Sequence, residues 1–273
     1  MNSPEAKIMS KGMLIDTTRC IGCRSCQIAC KSWNCLPSVQ TTFTETGSNP
    51  RYLSSNTFTR IIFREVVRPE GEIGWYFVKR QCMHCNDPAC ASVCPVGALR
   101  KNENGPVTYD DSRCIGCRYC LMACPFQIPK FQWESAVPFV RKCTFCADRL
   151  AIGLSPSCAA TCPTQAILFG EKSDLLKDAR QRIKGRPGKY VPQVYGEKTA
   201  GGTSMLYLTS VPFDQLGLES VGFRTDLADV PYGLRGREWM SKVPFIAMVA
   251  GGLALGLTKF NERRNRVQAT KEE

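Results

Sequence analysis

Cys20-Ile21-Gly22-Cys23-Arg24-Ser25-Cys26-Gln27-Ile28-Ala29-Cys30 is the stretch from which the rest of this chain can be read. Its spacing, C-x2-C-x2-C-x3-C, recurs at Cys114, Cys117, Cys120 and Cys124. Two looser groups, Cys82, Cys85, Cys90, Cys94 and Cys143, Cys146, Cys158, Cys162, bring the total to sixteen of seventeen cysteines. Three of the four groups end in Cys-Pro, at Cys94, Cys124 and Cys162. Three thiolates on one tight loop can grip three irons of a cubane. The fourth, on the following turn, points away and reaches a different cluster. Four such groups imply four [4Fe-4S] clusters, and hence a path for electrons.

Zinc and disulfides are the competing uses of cysteine. Structural zinc sites normally take two C-x2-C pairs separated by a longer loop. The compact triplets Cys20-Cys23-Cys26 and Cys114-Cys117-Cys120 suit a cubane better. A chain of 273 residues is long enough for an ordinary core, and its cysteines are too locally grouped to staple distant segments. Cys35 stands outside the groups, and packing as a small hydrophobe is its expected role.

An internal repeat shows how the groups pair. Asp16-Thr17-Thr18-Arg19-Cys20-Ile21-Gly22-Cys23-Arg24 returns as Asp110-Asp111-Ser112-Arg113-Cys114-Ile115-Gly116-Cys117-Arg118. Cys94-Pro95-Val96-Gly97-Ala98-Leu99 echoes Cys162-Pro163-Thr164-Gln165-Ala166-Ile167. Groups two and three then form one ferredoxin-like unit, 82–142, joined by a hairpin around Asn104-Gly105-Pro106. Groups one and four form the other, 1–30 with 143–170, split by the first. Exchanging the last cysteine within each pair gives four ligand sets. Cys20, Cys23 and Cys26 take Cys162, while Cys143, Cys146 and Cys158 take Cys30. Cys82, Cys85 and Cys90 take Cys124, while Cys114, Cys117 and Cys120 take Cys94. The expected fold class is α+β, with two pseudo-symmetric units of two clusters each, an extended arm and a C-terminal transmembrane helix.

The formal net charge of +12 invites a nucleic-acid reading. Each oxidised cluster with four thiolates contributes roughly −2, so four bring the holoprotein to roughly +4. Arg24, Lys31, Lys79, Arg80, Arg118 and Lys142, all near cysteines, then read as partners for buried anionic clusters rather than for nucleic acid.

Residues 31–81 form an insertion in which Asn56–Val67 and Gly74–Arg80 alternate as strands, with a turn at Pro69-Glu70-Gly71-Glu72. It is scaffold or a contact surface. Within 171–240, Ser173 followed by Leu175, Leu176, Ala179 and Ile183 reads as a capped amphipathic helix. From Gly185 to Met240 the sequence is irregular and suits an extended arm. Val243–Thr258 carries no charge. As a helix it spans roughly 24 Å, against a hydrocarbon core of roughly 30 Å. Phe260 and a snorkelling Lys259 close most of the gap, which places a span at 241–260 and a basic tail at 261–273. Trp239 and Phe245 suit an interfacial position, and Gly252 with Gly256 suits close helix packing. Lys259, Arg263, Arg264, Arg266 and Lys271 outnumber Arg235, Arg237 and Lys242. The C-terminus is therefore expected in the cytoplasm and the cluster domain outside. Residues 1–16 show neither an apolar signal core nor twin arginines.

No catalytic apparatus and no glycine-rich dinucleotide fingerprint is visible. His84, the one histidine, lies inside Cys82-Met83-His84-Cys85 and reads as packing beside a cluster.

Cys20–Cys30, Cys82-Met83-His84-Cys85-Asn86-Asp87-Pro88-Ala89-Cys90 and Lys142-Cys143-Thr144-Phe145-Cys146-Ala147-Asp148-Arg149 resemble the four-cluster electron-transfer subunits of respiratory molybdenum and tungsten enzymes and of some membrane hydrogenases. The resemblance is specific over about residues 10–170. Tyr195-Gly196-Glu197, Gly201-Gly202, Met205-Leu206-Tyr207-Leu208 and the apolar tail make it strongest toward the formate dehydrogenase beta subunit. It implies a large catalytic partner, a membrane cytochrome b or other quinone-reactive partner, a place in the inner membrane, and export of a folded domain on the partner's signal. It also implies that the unit of groups one and four faces the catalytic subunit.

Overall fold

A computed structural model describes residues 10–68, 71–135, 139–218 and 232–272, with side chains described outside 232–241 and 265–272. The first unit is built on strand β1, Lys11–Asp16, which pairs antiparallel with β8, Ile167–Glu171, and parallel with β9, Met205–Leu208. β1 is the middle strand, covered on both faces, so Met13 to Asp16 form an unbroken buried run. Its two-residue period still sorts the side chains. Met13 and Ile15, with Met205 and Tyr207 of β9, face the cysteines. Leu14, Leu206 and Leu208 face helix α6, Lys172–Gly185, through Leu175 and Ala179.

The second unit repeats this plan in miniature. β4, Leu99–Lys101, pairs antiparallel with β5, Val107–Tyr109, around the expected Asn104-Gly105-Pro106 turn. Helix α1, Ser25–Trp33, contacts α5, Ser157–Ala160, just as α2, Ala89–Ser92, contacts α3, Tyr119–Ala123. Groups one and four therefore meet in space, as do groups two and three. The loops match down to backbone strain: Arg24 and Arg118, at the same repeat position, have φ of 63° and 64°. A non-glycine residue pays about 1–3 kcal/mol for such a conformation, and here both open the helix that carries a unit's third cysteine. A shorter helix, α4 (Ala147–Ala151), and the two-residue strands β6 (Lys130–Phe131) and β7 (Val140–Arg141) frame the fourth group.

The insertion is an antiparallel hairpin of β2, Arg60–Val67, and β3, Ile73–Arg80. Part of its expected turn, 69–70, lies outside the described residues. Ile62, Val66, Tyr76 and Val78 bury one face of the hairpin against the core, and Ile61 is buried on the other face, opposite Lys79. Gln27 of α1 clasps it by accepting the Ile61 N–H at 2.5 Å.

Four features differ from expectation. Residues 186–218 do not run out as an arm. Tyr190, Val194, Tyr195 and the fully buried Met205–Leu208 carry too much apolar surface to be left in water, and they complete the first unit's sheet. Ser173 does not cap α6, which begins at Lys172 after an extended Glu171. Cys35 is exposed at φ 48°, just past α1, rather than packed. The apolar tail and the basic tail are one helix, α7, Tyr232–Glu272, with Pro244 inside it. Its stretch Lys242–Arg264 has no buried residue and, at 23 residues or roughly 34 Å, is long enough to cross a membrane. α7 lies beside α2. The side chains of Trp239, Arg235 and Arg237 lie outside those described.

Candidate metal centres

Two cavities adjoin in the first unit. One is lined by Cys20, Cys23, Cys26 and Cys162. The other is lined by Cys30, Cys143, Cys146 and Cys158. Each set takes three cysteines from one group and one from the other. Cys26 and Cys30, one turn apart on α1, open into different cavities. In the second unit Cys85 is raised well above the usual thiol range by burial and then by Cys124, Cys82 and Cys90. Cys120 is pushed up to about 12 by burial and then by Cys117, Cys114 and Cys94. Each cysteine with its neighbours is again three from one group and one from the other. Cys26 and Cys30 also reach about 12, burial being the main cause.

The donor chemistry fits polynuclear clusters. Eight thiols line the two cavities, the eight of the second unit are likewise free, and among the described residues no three Cys, His, Asp or Glu side chains converge as for a single metal ion. Backbone N–H groups already point at sulfur: Ala98 to Cys94 at 3.2 Å, Phe145 to Cys143 at 3.4 Å and Ile128 to Cys124 at 3.5 Å. Such donors favour added negative charge at the ligand.

Cys82 is among the groups that raise the Cys143 thiol, so the two units' cysteines adjoin there. Cys23 and Cys117, one in each unit, are exposed. At the junction of the units His84 stacks on Phe145, with centroids 4.9 Å apart and planes at 22°. These two residues occupy the same place in Cys82-Met83-His84-Cys85 and Cys143-Thr144-Phe145-Cys146, so the pseudo-twofold axis passes between them. His84 is fully buried, and its Nδ1 accepts the Val107 N–H at 2.9 Å. Burial, then Lys142, Lys101 and Lys79, hold its pKa well below the usual imidazole value. The proton therefore sits on Nε2, which is buried and has no hydrogen-bond partner among the described residues.

The six cations singled out from sequence divide. Lys79 and Lys142 are buried beside cysteines. Arg24 stacks on Phe63 and donates to the Gly47 carbonyl, and Arg118 stacks on Phe131 and Trp133. Lys31 donates to the Pro37 and Asn56 carbonyls, and Arg80 to the Gly217 carbonyl. Lys101, not singled out, is pulled down to about 8 by burial, with Cys85 opposing, and donates to the His84 and Gly105 carbonyls.

Comparison with known families agrees with this geometry. Family models described as 4Fe-4S dicluster domains match residues 19–98 and 73–172. The chain belongs to the 4Fe-4S dicluster family. Dicluster relatives match well beyond those segments. A protein of Nitratidesulfovibrio vulgaris is 39% identical over 96% of this chain and 70% of its own length. The hydrogenase-2 operon protein HybA of Escherichia coli O157:H7 is 38% identical over 77% of this chain and 73% of its own. The iron-sulfur subunit of nitrate-inducible formate dehydrogenase from Escherichia coli K12 is 40% identical over 71% of this chain and 66% of its own.

Proposed function

We propose that this iron-sulfur electron-transfer subunit holds four [4Fe-4S] clusters in single file and joins a catalytic oxidoreductase subunit to a quinone-linked membrane component. The observation that carries the reading is the exchange of the fourth cysteine at neighbouring cavities, Cys162 with Cys20, Cys23 and Cys26, and Cys30 with Cys143, Cys146 and Cys158. By the repeat, Cys124 joins Cys82, Cys85 and Cys90, and Cys94 joins Cys114, Cys117 and Cys120. When bound, each cluster supplies a one-electron redox couple. The chain's own residues position those groups, exclude water from the two central sets, and leave Cys23 and Cys117 near the surface as the two ends.

The unit of groups two and three is assigned to the membrane end, because α2, which carries Cys90, lies beside α7. Ile115, Tyr119, Met122 and Trp133 are exposed around the Cys117 end and offer an apolar contact for the membrane partner. The Cys23 end, with Ile21 and Ile28 exposed, is assigned to the catalytic subunit. The charge bias after α7 supports a C-terminus in the cytoplasm and a cluster domain in the periplasm. Formate dehydrogenase is the preferred partner enzyme. A hydrogenase is the second reading, carried by the match to the HybA protein over 77% of this chain. Purified full-length chain should contain about sixteen iron and sixteen acid-labile sulfide, four of each per cluster. About four zinc and little iron would refute the redox reading. The large subunit that copurifies separates formate dehydrogenase from hydrogenase.

A further inference from the structure

The two end sets have matched loops, Cys20-Ile21-Gly22-Cys23-Arg24 and Cys114-Ile115-Gly116-Cys117-Arg118, with matched backbone conformations. Their surroundings differ at one buried position. Three residues before Cys82 stands Lys79; three residues before Cys143 stands Val140. Each lies on the inner strand of a hairpin, Lys79 in β3 paired with Ile61 and Val140 in β7 paired with Phe131.

Lys79 is 2% exposed and lines both cavities of the first unit. Its Nζ donates to Thr59 Oγ1 at 2.8 Å, its one hydrogen bond among the described residues, leaving two of three N–H donors for the cysteine spaces. No carboxylate pairs with it among the described residues. It lines one cavity with Cys26 and the other with Cys30, Cys143 and Cys158, and so faces thiols of both sets. Val140 is 1% exposed and packs in one cluster with Cys90 and Cys120, with Cys94 and Cys114 against it. It thus lies between the two sets of the second unit, as Lys79 does in the first, but carries no charge. Lys101 and Lys142 lie near Cys82, Cys85 and Cys90, at the central set of that unit. Cys120, in the end set, is raised by burial and then by the thiols Cys117, Cys114 and Cys94.

We propose that Lys79 is the potential-setting residue of the first unit and that Val140, its counterpart, leaves the end cluster of the second unit at the lower potential. A buried ammonium stabilises an electron added to an anionic cluster on either side of it, and valine cannot. The wire is therefore electrically lopsided although its ends are built alike, and an electron resting on it favours the first unit. This rests on the four-cluster reading.

The test is a redox titration of the intact complex followed by electron paramagnetic resonance, with iron counted in each preparation. In the parent protein the Cys117-end cluster should titrate below the Cys23-end cluster. Lys79→Gln, which can keep the bond to Thr59, should lower both first-unit clusters at least tenfold in reduction equilibrium, about 59 mV each for one electron. Lys79→Arg should restore most of that shift, and the Cys117-end cluster should hold its potential throughout. Val140→Lys should raise the Cys117-end cluster. A full complement of clusters with unmoved first-unit potentials in Lys79→Gln would overturn the proposal, as would an equal shift in both units. If Lys79→Gln and Lys79→Met load no first-unit clusters while Lys79→Arg does, a charge requirement at this position is supported. Failure of Lys79→Arg as well, beside a normally loaded Thr59→Val with unmoved potentials, would reduce Lys79 to packing and overturn the proposal. Absence of clusters from the parent protein would refute the four-cluster reading instead.

Discussion

Cys26 and Cys30 sit one turn apart on α1, both buried, yet open into different cavities. That geometry makes a strong prediction for serine substitutions at the two positions. Under the exchange of ligands, Cys26→Ser damages only the cluster shared with Cys20, Cys23 and Cys162. Cys30→Ser damages only the one shared with Cys143, Cys146 and Cys158. Each single change should remove between about one iron, leaving a three-iron centre, and about four, if the site empties. The double variant should then lose the sum, up to about eight of sixteen irons. If each group instead served its own cluster, the double variant would lose no more than either single one. Iron and sulfide analysis reads the total, and Mössbauer or electron paramagnetic resonance spectra identify which signals vanish. A double variant that loses the same four irons as Cys30→Ser would refute the exchange. Retention of the second unit's signals in all three variants is the internal control, since none of its lining cysteines comes from α1.

Deleting residues 242–273 should release the subunit from membranes and slow quinone reduction, while transfer to a soluble artificial acceptor persists, since Cys162 is the last cysteine. Membrane fractionation of the complex beside both assays checks this; quinone reduction at the parental rate would remove α7 from the electron route. Arg182→Met should destabilise the first unit by about 3–5 kcal/mol, because it strips the ion pair from Asp16, which is 1% exposed, leaving Tyr190 and Thr18 as partners. Denaturant titration of the loaded protein measures it, and a loss below about 1 kcal/mol contradicts the account. Gly196→Ala should cost more than the roughly 1–3 kcal/mol of backbone strain alone, since φ is 90° and an added Cβ would lie 2.1 Å from the Met205 carbonyl oxygen. Loss of soluble expression, with Gly170→Ala as an unhindered control, would report it.

The cysteine groups were legible because cluster loops are local. Three ligands within seven residues, a repeat such as Cys-Ile-Gly-Cys-Arg and a closing Cys-Pro describe short-range geometry that sequence spacing encodes directly. The hairpin at Asn104-Gly105-Pro106 was legible for the same reason. So was the apolar run in α7, because a long uncharged segment needs no partner to be recognised. Ser173 misled because capping is one prior among several, and the chain enters α6 directly from β8.

Long-range placement was decided by the tertiary structure. Residues 186–218 look irregular by composition, and what buries Met205–Leu208 is a parallel pairing with β1, nearly two hundred residues earlier in the chain. No periodicity within a segment reports which distant strand will cover it. The meeting of the two units' cysteines likewise follows from packing Cys82 near Cys143, with the His84 and Phe145 rings stacked across the junction. Lys79 was visible as one cation among six near cysteines, but its burial between two sets was not. Aligning Lys79-Arg80-Gln81-Cys82 against Val140-Arg141-Lys142-Cys143 could have flagged the asymmetry. Sequence spacing marks the three thiols of a loop that can share a cluster, because that part of ligation is local. Which charges a cluster senses depends on what folds over it from elsewhere, and that is a property of the packed chain.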